Sequence, residues 1–370
     1  MAELPSTAEV VVIGAGIMGT STLYHLASMG CTDTVLLERE IIAAGSTSKA
    51  AGGFRAQFSD RLNIQIALES IGRLTRFDDE FGVDIDLKQW GYLFLLQKEN
   101  VPSFAESLRL QNEMGVPSVL LSPAEAGAMV PELNTDDLAA ATFCPMDGYA
   151  TPETVAQTYA KAAIDQGARL VQGCEVLKVL ADGDRVIGVE TSQGSITTPV
   201  VVCVAGVWSL PLAAQVGVEL PIQPEKRYVF LTDEPDTLPR ELPLTIDFAT
   251  GFWFMREADR IMFGGRQRTL DDLAPYAVAR LPILEELSVK PGWWGYYGMS
   301  PDHNGIVGEA QSPQGFLYAT GFSGHGFQQG PVVGQYLAEL ALSLKPELDL
   351  SPFSLERFER DDWRPEANVI

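Results

Sequence analysis

The chain has 370 residues, of which 46% are hydrophobic and 20% are charged, a composition typical of a globular protein with a sizeable core. This composition excludes a disordered chain, and the length predicts about two or three domains. The 26 basic and 49 acidic residues give a net charge of −23, which disfavours nucleic acid and anionic membrane surfaces as partners.

The cysteines are far apart and form no CxxC pair, and three of them lie in or beside apolar runs. They are Cys31, Cys144, Cys174 and Cys203. Such thiols favour a reduced compartment, so we predict a cytoplasmic location without disulfides or a metal site. The first ten residues contain no Lys or Arg, so no signal peptide is expected. Uncharged stretches at 191–218 and 310–338 are interrupted by Gly and polar residues, so neither predicts a membrane span.

Apolar runs and helical patterns alternate along the chain and predict its secondary structure. The first predicted elements are a buried strand at 8–13, a glycine turn at 14–19, a helix at 17–29 that stops at Gly30, and a strand at 34–37. A helix at 63–82, a strand at 92–96, a helix at 103–114 and a helix that begins at Thr151-Pro152 and ends near Gly167 follow. The remaining elements are short strands within 169–204, strand-like segments within 219–296 with a Leu-rich helix near 280–288, a strand at 316–319, a glycine turn at 321–330 and a helix at 331–343. Segments 1–86, 146–218 and 297–370 have a parallel α/β pattern, whereas 87–145 and 219–296 are rich in β-strand signals. We therefore predict two interleaved domains.

The residues Gly14-Ala15-Gly16-Ile17-Met18-Gly19 form a GxGxxG motif between a predicted strand and helix, and Glu38 ends the next predicted strand. Together these features are typical of dinucleotide binding, because the glycines allow a tight turn and the helix N-terminus attracts a pyrophosphate. A carboxylate at Glu38 would accept hydrogen bonds from ribose hydroxyls and disfavours a 2′-phosphate, so NADP is not expected. The motif alone does not distinguish FAD from NAD. The chain lacks a GxSxG nucleophile elbow, a P-loop lysine and an HxxxH zinc pattern.

Three further segments have a distinctive sequence: GSTSKAAGGFR at 45–55, AGVW at 205–208 and GFSGHGFQQGP at 321–331. With the glycine motif they resemble the D-amino acid oxidase superfamily, most closely its glycine and sarcosine oxidase branch, which includes β subunits of sarcosine oxidase and amino-acid dehydrogenase complexes. The resemblance extends over nearly the whole chain. It implies an α/β + β fold in which a Rossmann-type FAD-binding domain, built from three chain segments, is interleaved with an antiparallel-sheet substrate domain.

The resemblance also implies which residues hold FAD, and these fall in the segments just described. The matched residues are Gly14, Gly16, Ile17, Met18, Gly19, Glu38, Arg39, Ser46, Thr47, Lys49, Gly53, Val176, Ala205, Gly206, Trp208, Gly324, His325, Gly326, Phe327 and Gln328. The alternatives are that Ser46 and Thr47 only cap a helix and that Trp208 belongs to the core. The FAD is expected to be non-covalent, because no cysteine follows Cys203 and Lys49 stands where other members carry a tethering histidine.

Arg55 lies among apolar and small residues just after the predicted cofactor loop, and its planar guanidinium suits a carboxylate. The resemblance implies that Arg55 binds the carboxylate of the substrate, and the alternative is a structural ion pair. Related enzymes often have Lys in place of Gln328, so Arg266 and Tyr297 are candidates for a second anchor. The catalytic candidates are therefore Arg55, Arg266, Gln328 and Tyr297. Met262 takes the position of a lysine that activates oxygen in monomeric sarcosine oxidases, which weakens the case for a fast oxidase.

These observations predict an FAD-dependent enzyme that oxidatively deaminates glycine, an N-substituted glycine or another small amino acid. Hydride would pass from the carbon next to nitrogen to flavin N5, the imine would hydrolyse, and oxygen would take the electrons. One alternative is an amino-acid dehydrogenase, or a subunit of a sarcosine oxidase or dehydrogenase complex, that uses another acceptor. A second is a non-catalytic flavin-binding assembly subunit. The expected partners are a small amine or amino acid and an electron acceptor, and both homo- and hetero-oligomers fit the sequence.

Overall fold

The computed structural model describes residues 3–235, 237–361, 363 and 365–369. The strands are β1 (Val10–Ile13), β2 (Thr34–Glu38), β3 (Gly53–Phe54), β4 (Tyr92–Leu96), β5 (Val119–Leu121), β6 (Ala140–Cys144), β7 (Gly148–Tyr149), β8 (Arg169–Gln172), β9 (Val176–Asp182), β10 (Arg185–Thr191), β11 (Gly194–Thr197), β12 (Val200–Cys203), β13 (Gln223–Thr232), β14 (Leu244–Asp247), β15 (Trp253–Glu257), β16 (Arg260–Gly264), β17 (Val289–Met299), β18 (Ile306–Glu309) and β19 (Phe316–Thr320). The α-helices are α1 (Ile17–Ser28), α2 (Arg61–Leu74), α3 (Phe77–Phe81), α4 (Val101–Glu113), α5 (Pro123–Met129), α6 (Pro152–Asp165), α7 (Ser209–Ala214), α8 (Leu270–Arg280) and α9 (Gly326–Ala341). Short 3₁₀ helices lie at Thr47–Lys49, Gly206–Trp208, Pro282–Glu285, Ser351–Phe353 and Leu355–Arg357.

The first sheet is largely parallel and has the strand order β18-β19-β12-β1-β2-β8. Its central strand β1 reads VVVI, is buried at every position and pairs in parallel with both β12 and β2. A parallel strand covered on both faces needs such a continuous apolar run, because neither face meets water. Only β18 runs antiparallel within the described part of this sheet. This is the Rossmann-type sheet that the sequence predicts.

The second sheet has the order β17-β13-β16-β15-β14-β4-β6-β5 and is antiparallel except where β14 pairs with β4. Its strands come from two separate stretches of the chain, 92–144 and 223–299. A smaller antiparallel sheet, β11-β10-β9, and the short pair β3-β7 complete the described strands. The domain boundaries given from the sequence stay a prediction.

Helices α1 and α9 pack closely against each other, and two glycines of α9 make this contact possible. A Cβ at Gly330 would lie 2.5 Å from Cγ1 of Ile17, and a Cβ at Gly334 would lie 2.2 Å from Oγ of Ser21. Any larger residue would force the helices apart. The close packing brings the N-termini of α1 and α9 to the same region of the molecule.

Three predicted helices are placed differently in the structure. The helix expected at 63–82 is two helices, α2 and α3. The prediction of a Leu-rich helix near 280–288 is wrong. Helix α8 ends at Arg280, and a short 3₁₀ helix begins at Pro282. Proline disfavours helical backbone at the residue before it, which explains the interruption at Leu281. The helix expected from 331 begins at Gly326, inside the predicted glycine turn.

The cysteines are free and buried, as their sequence positions predict. Among the residues that the structure describes, no group of His, Cys, Asp and Glu is arranged to hold a metal ion. None of the described helices combines the length and apolar character needed to cross a membrane. The cytoplasmic location stays a prediction.

Candidate active site

A cavity of about 500 Å³ lies between the parallel sheet and the second sheet, and most of the sequence-predicted site residues line it. The predicted residues in its lining are Gly14, Gly16, Ile17, Met18, Glu38, Arg39, Ser46, Thr47, Lys49, Gly53, Arg55, Val176, Ala205, Gly206, Trp208, Tyr297, Gly324, His325, Gly326 and Phe327. Gly19, Arg266 and Gln328 are not part of that lining. One cavity therefore joins residues that are far apart in the chain, and its volume is in the usual range of ligand sites.

The glycine turn has the backbone that its sequence predicts. Gly14 has a φ of 102°, in the region that favours glycine, and a Cβ there would lie 2.9 Å from Cα of Ala205. A Cβ at Gly19 would lie 1.9 Å from the carbonyl oxygen of Gly14, so only glycine allows α1 to pack on the turn. The turn thus presents the start of α1, whose first N–H groups have no partner within the helix, to the cavity.

Polar side chains surround the start of α1. The Glu38 carboxylate accepts a hydrogen bond from the main-chain N–H of Ala15 at 2.8 Å, and Oγ1 of Thr47 accepts one from the N–H of Ile17 at 3.0 Å. Thr47 therefore does cap α1, from a distant loop, while it also lines the cavity. Ser46 instead donates to the carbonyl oxygen of Tyr296 at 2.8 Å, which ties the predicted cofactor loop to the second sheet.

Trp208 lies on the cavity rather than deep in the core. Its ring is half-exposed and packs beneath the guanidinium of Arg39, whose Cζ lies 4.2 Å from the ring centre. Such a cation–π contact fixes both side chains at the wall of the cavity. Trp208 is therefore a residue of the cavity wall, and the alternative that it belongs only to the core is wrong.

The N-terminus of α9 is a second helix start on the cavity. Gly326 and Phe327, in its first turn, line the cavity together with His325 just before it. A helix N-terminus carries a partial positive charge, which favours negative charge in front of it. The glycine-rich sequence predicts a turn here, so this electrostatic feature was not predicted.

Arg55 is buried, and its guanidinium has neutral partners. It donates through Nη1 to the carbonyl oxygen of Gln57, through Nη2 to Nε2 of His325 at 3.0 Å, and through Nη2 to the carbonyl oxygen of Asn368 at 2.7 Å. Its Cζ lies 4.1 Å from the ring centre of Phe58. A structural ion pair would require a carboxylate in contact with the guanidinium, and none of these partners in the described part of the chain is a carboxylate. The charges of Glu366 and Asp147 stabilise Arg55 without a direct contact, so its guanidinium can still hydrogen-bond an anionic ligand.

The contact with Arg55 also defines the state of His325. A guanidinium only donates hydrogen bonds, so Nε2 of His325 must accept and the ring proton lies on Nδ1. Burial, together with the positive charge of Arg55, holds the pKa of His325 well below its usual range. His325 is therefore a neutral imidazole that helps to orient the guanidinium.

Two buried side chains hold the main chain around Arg55. Gln328 accepts a hydrogen bond from the N–H of Arg55 at 2.8 Å through Oε1, so it acts on the backbone of Arg55 rather than on the cavity. Asp147 accepts from the N–H of Ala56 at 2.7 Å and from Nε2 of Gln57 at 3.0 Å. Burial raises the pKa of Asp147 to about 6, against the effect of these hydrogen bonds. Asp147 was not predicted, although an aspartate just after an apolar strand can point to a functional residue.

Aromatic and apolar side chains form the cavity wall near Arg55. The lining there includes Tyr92, Phe94 and Tyr297, and Phe94 has its ring centre 5.4 Å from Cζ of Arg55. Burial raises the pKa of both Tyr92 and Tyr297, so both hydroxyls stay protonated at neutral pH. Tyr92 was not predicted, although a hydroxyl within the apolar strand sequence YLFLL could have pointed to it.

Arg266 and Met262 lie away from the cavity surface. Arg266 is exposed, and Met262 is 2% exposed within an apolar cluster behind the lining residues Val229, Leu244 and Ile246. Among the described residues of β13–β16, Arg227 is the cationic residue that lines the cavity.

The family model for FAD dependent oxidoreductases, abbreviated DAO, matches residues 9–340. The chain belongs to the DAO family of FAD-dependent oxidoreductases. The predicted family, its α/β + β fold and FAD as its cofactor are thereby confirmed.

Several DAO-family proteins resemble the chain over most of its length. The structure of L-proline dehydrogenase from P. horikoshii is 32% identical, has a TM-score of 0.91, and the match covers 98% of this chain and 100% of that chain. Glycine oxidase from Geobacillus kaustophilus, 24% identical with a TM-score of 0.84 over 95% of this chain and 99% of that chain, shares the fold. Mitochondrial sarcosine dehydrogenase from Homo sapiens is 31% identical over 96% of this chain but 42% of its own length. The chain thus spans less than half of that relative.

The residues of the cavity fit the FAD of the DAO family. Gly16 has no side chain, and this leaves open the space in front of α1. A Cβ at Gly16 would lie in that space, 3.1 Å from Oγ1 of Thr47. The N–H groups at the start of α1 would therefore hold the pyrophosphate. Glu38, at the end of β2, would accept hydrogen bonds from ribose hydroxyls. Gly326 and Phe327, at the start of α9, would also help to hold FAD. Bound FAD supplies the site with a two-electron acceptor.

Proposed function

We propose that the protein oxidises a small α-amino acid whose amine is secondary, such as an N-alkyl glycine or proline, and that its electron acceptor is not oxygen. The observation that carries the substrate class is the buried, cavity-lining guanidinium of Arg55, whose partners are neutral. L-proline dehydrogenase and sarcosine dehydrogenase, two similar proteins, are named for amino acids that combine one carboxylate with a secondary amine. Glycine, the other substrate considered from the sequence, lacks the alkyl group on nitrogen.

Arg55 would bind the carboxylate of the substrate and so fix the position of the adjacent carbon. A guanidinium–carboxylate contact in a water-poor cavity is directional, because the planar fork fits the two oxygens. The apolar and aromatic wall formed by Tyr92, Phe94, Leu244 and Ile246 would then receive the alkyl group or ring. Binding at two points orients the carbon–hydrogen bond that breaks.

Three titratable side chains of the lining do not act as bases at neutral pH. Tyr92 and Tyr297 stay protonated because burial raises their pKa, and Nε2 of His325 is occupied by Arg55. The substrate amine therefore has to react in its neutral form, since these groups cannot remove its proton. The two tyrosine hydroxyls remain available as hydrogen-bond donors.

The environment of Met262 supports an acceptor other than oxygen. Transfer of an electron to oxygen develops negative charge, which a fixed cation nearby would stabilise. Met262 is instead enclosed by apolar residues such as Val229 and Met255. A neutral thioether at this position provides no such charge.

The test is to purify the FAD-loaded protein and to follow the loss of flavin absorbance without oxygen. N-methylglycine and L-proline should bleach the flavin at lower concentration than glycine does. Arg55→Lys keeps the charge but loses the fork, and losing one charge-assisted hydrogen bond costs about 1.5–3 kcal/mol. The variant should therefore need about 10- to 150-fold more L-proline.

Pyrrolidine, which is proline without its carboxylate, is the matched control. Its reaction should be nearly the same in wild type and in Arg55→Lys. Equal losses for proline and pyrrolidine would show that Arg55 is structural, and a flavin that no secondary amino acid bleaches would refute the proposed substrate class. Rapid reoxidation by air would refute the proposed acceptor.

A further inference from the structure

The hydrogen bonds of Arg55 leave it incompletely prepared for a carboxylate. A guanidinium has five N–H groups, and carboxylates bind bidentately either at its Nε and Nη2 or at its Nη1 and Nη2. Both arrangements need a hydrogen of Nη2. In the structure the two Nη2 hydrogens are directed to Nε2 of His325 and to the carbonyl oxygen of Asn368. A bidentate carboxylate must therefore displace one of these two partners.

His325 is the more firmly held of the two. It lies immediately before α9, its N–H donates to the carbonyl oxygen of Phe322 at 2.8 Å, and its ring meets Phe58 edge-on with 5.1 Å between ring centres. Moving the imidazole would disturb both the start of α9 and the aromatic contact. Asn368 is buried but outside the described helices and strands, and it lines the cavity, so no regular element fixes its carbonyl.

Asn368 belongs to the 365–369 segment, which is attached to the loop after Arg55 mainly through Glu366. The Glu366 carboxylate accepts from the N–H of Ser59 at 2.9 and 3.1 Å and from the N–H of Asn368 at 3.0 Å. The N–H of Ala367 donates to Oγ of Ser59 at 3.0 Å, and the N–H of Glu366 donates to the carbonyl oxygen of Asp302 at 2.9 Å. The N–H groups of Glu366 and Ala367 thus depend on docking of the segment for their hydrogen bonds, whereas that of Asn368 bonds within the segment.

We propose that Asn368 is a positioning residue of the carboxylate anchor: its carbonyl holds Arg55 in the ligand-free site and is exchanged for the carboxylate of the substrate, which releases the 365–369 segment. The inference rests on the proposed function, because it requires Arg55 to bind the carboxylate. The segment is then an internal competitor of the substrate, and Glu366 sets how strongly it competes.

The experiment is hydrogen exchange, followed by mass spectrometry, on the FAD-loaded protein. The probe is tetrahydrofuran-2-carboxylate, a ring with a carboxylate but without an oxidisable amine, and the control is tetrahydrofurfuryl alcohol, which lacks the charge. Binding of each is measured from the flavin absorbance. Saturating carboxylate should speed exchange of the peptide covering 365–369 by about tenfold, the equivalent of one lost hydrogen bond. The alcohol should not change it.

Two variants separate the positioning role from a merely structural one. Glu366→Gln removes one acceptor and the charge, so it should speed exchange of the segment without ligand and tighten binding of the carboxylate by about three- to tenfold. Asn368→Ala keeps the main-chain carbonyl but loses the hydrogen bond from Nδ2 to the carbonyl oxygen of Gln57, so it should speed exchange without ligand and still respond to the carboxylate. The wild-type measurement stands alone if Glu366→Gln does not fold.

The outcomes distinguish this inference from the proposed function. Carboxylate binding that depends on Arg55, with unchanged or slower exchange of 365–369, overturns the inference and leaves the proposed function intact. Carboxylate and alcohol binding equally well, or a carboxylate that does not bind, overturns both.

Discussion

The buried carboxylate of Asp147 should make the stability of the protein depend on pH in a defined direction. Burial raises its pKa from an ordinary 3.8 to about 6, while the N–H of Ala56, the side chain of Gln57 and the charge of Arg55 act in the opposite sense. The folded state therefore binds this proton more tightly than the unfolded state does. The stabilisation is complete below the unfolded pKa and is lost as pH rises through about 6.

The size of the effect follows from the two pKa values. Their difference corresponds to about 3 kcal/mol in total, of which about 1.4 kcal/mol is lost between pH 5 and pH 7.5. Asp147→Asn does not titrate, so the stability of wild type relative to the variant should fall by that amount over this range. Urea unfolding of the FAD-loaded proteins at several pH values measures it. Asp271→Asn, at an exposed position, is the control for an equal change in charge.

A wild type whose advantage over Asp147→Asn is constant, or grows with pH, would refute this reasoning. A constant difference would mean that the hydrogen bonds to Asp147 outweigh the cost of burying its charge. The folded-state pKa would then be at or below 3.8, so that Asp147 would be ionised in both states over this range.

Three further predictions concern the cofactor and the acceptor. Acid precipitation should leave all flavin colour in the supernatant, because FAD is expected to be non-covalent, and a coloured pellet would contradict this. Gly16→Val should lose FAD, since a Cβ there lies 3.1 Å from Oγ1 of Thr47 and the rest of the side chain would occupy the space of the pyrophosphate; full occupancy by absorbance would count against the assignment. Met262→Lys should raise oxygen consumption by at least about tenfold, which requires about 1.4 kcal/mol of stabilisation. An unchanged rate in a folded, FAD-loaded variant would show that Met262 is not at the oxygen site or that another cation, such as Lys49, already supplies the charge.

The glycine turn could be predicted from the sequence because its structure depends on neighbouring residues. Gly19 is required by a contact with Gly14 inside the turn, although Gly14 and Gly16 also lie close to Ala205 and Thr47. The role of Glu38 could be predicted because it ends β2, the strand that comes after the glycine motif and its helix. Local sequence patterns are sufficient for such a feature, since the strand, the turn and the helix are consecutive.

The surroundings of Arg55 could not be predicted in the same way. His325 and Asn368 lie 270 and 313 positions further along the chain, and only the folded structure brings them to the guanidinium. The start of α9 was placed five residues too late for a related reason. A GHGF sequence has low helix propensity, but its packing against α1 outweighs that local preference.

The choice of carboxylate anchor also depends on partners that the sequence does not reveal. Arg227 lines the cavity, but its Nη1 lies 2.7 Å from Oε2 of Glu225, so its charge already has a counterion. Arg266 is exposed and outside the lining, and Gln328 is occupied by the main chain of Arg55. Of the groups considered as anchors, Arg55 combines a position on the cavity with neutral partners. Because binding at Arg227 would require the loss of its ion pair, a second carboxylate on the substrate would gain little there. The site should therefore prefer amino acids with one carboxylate over dicarboxylates such as N-(carboxymethyl)glycine.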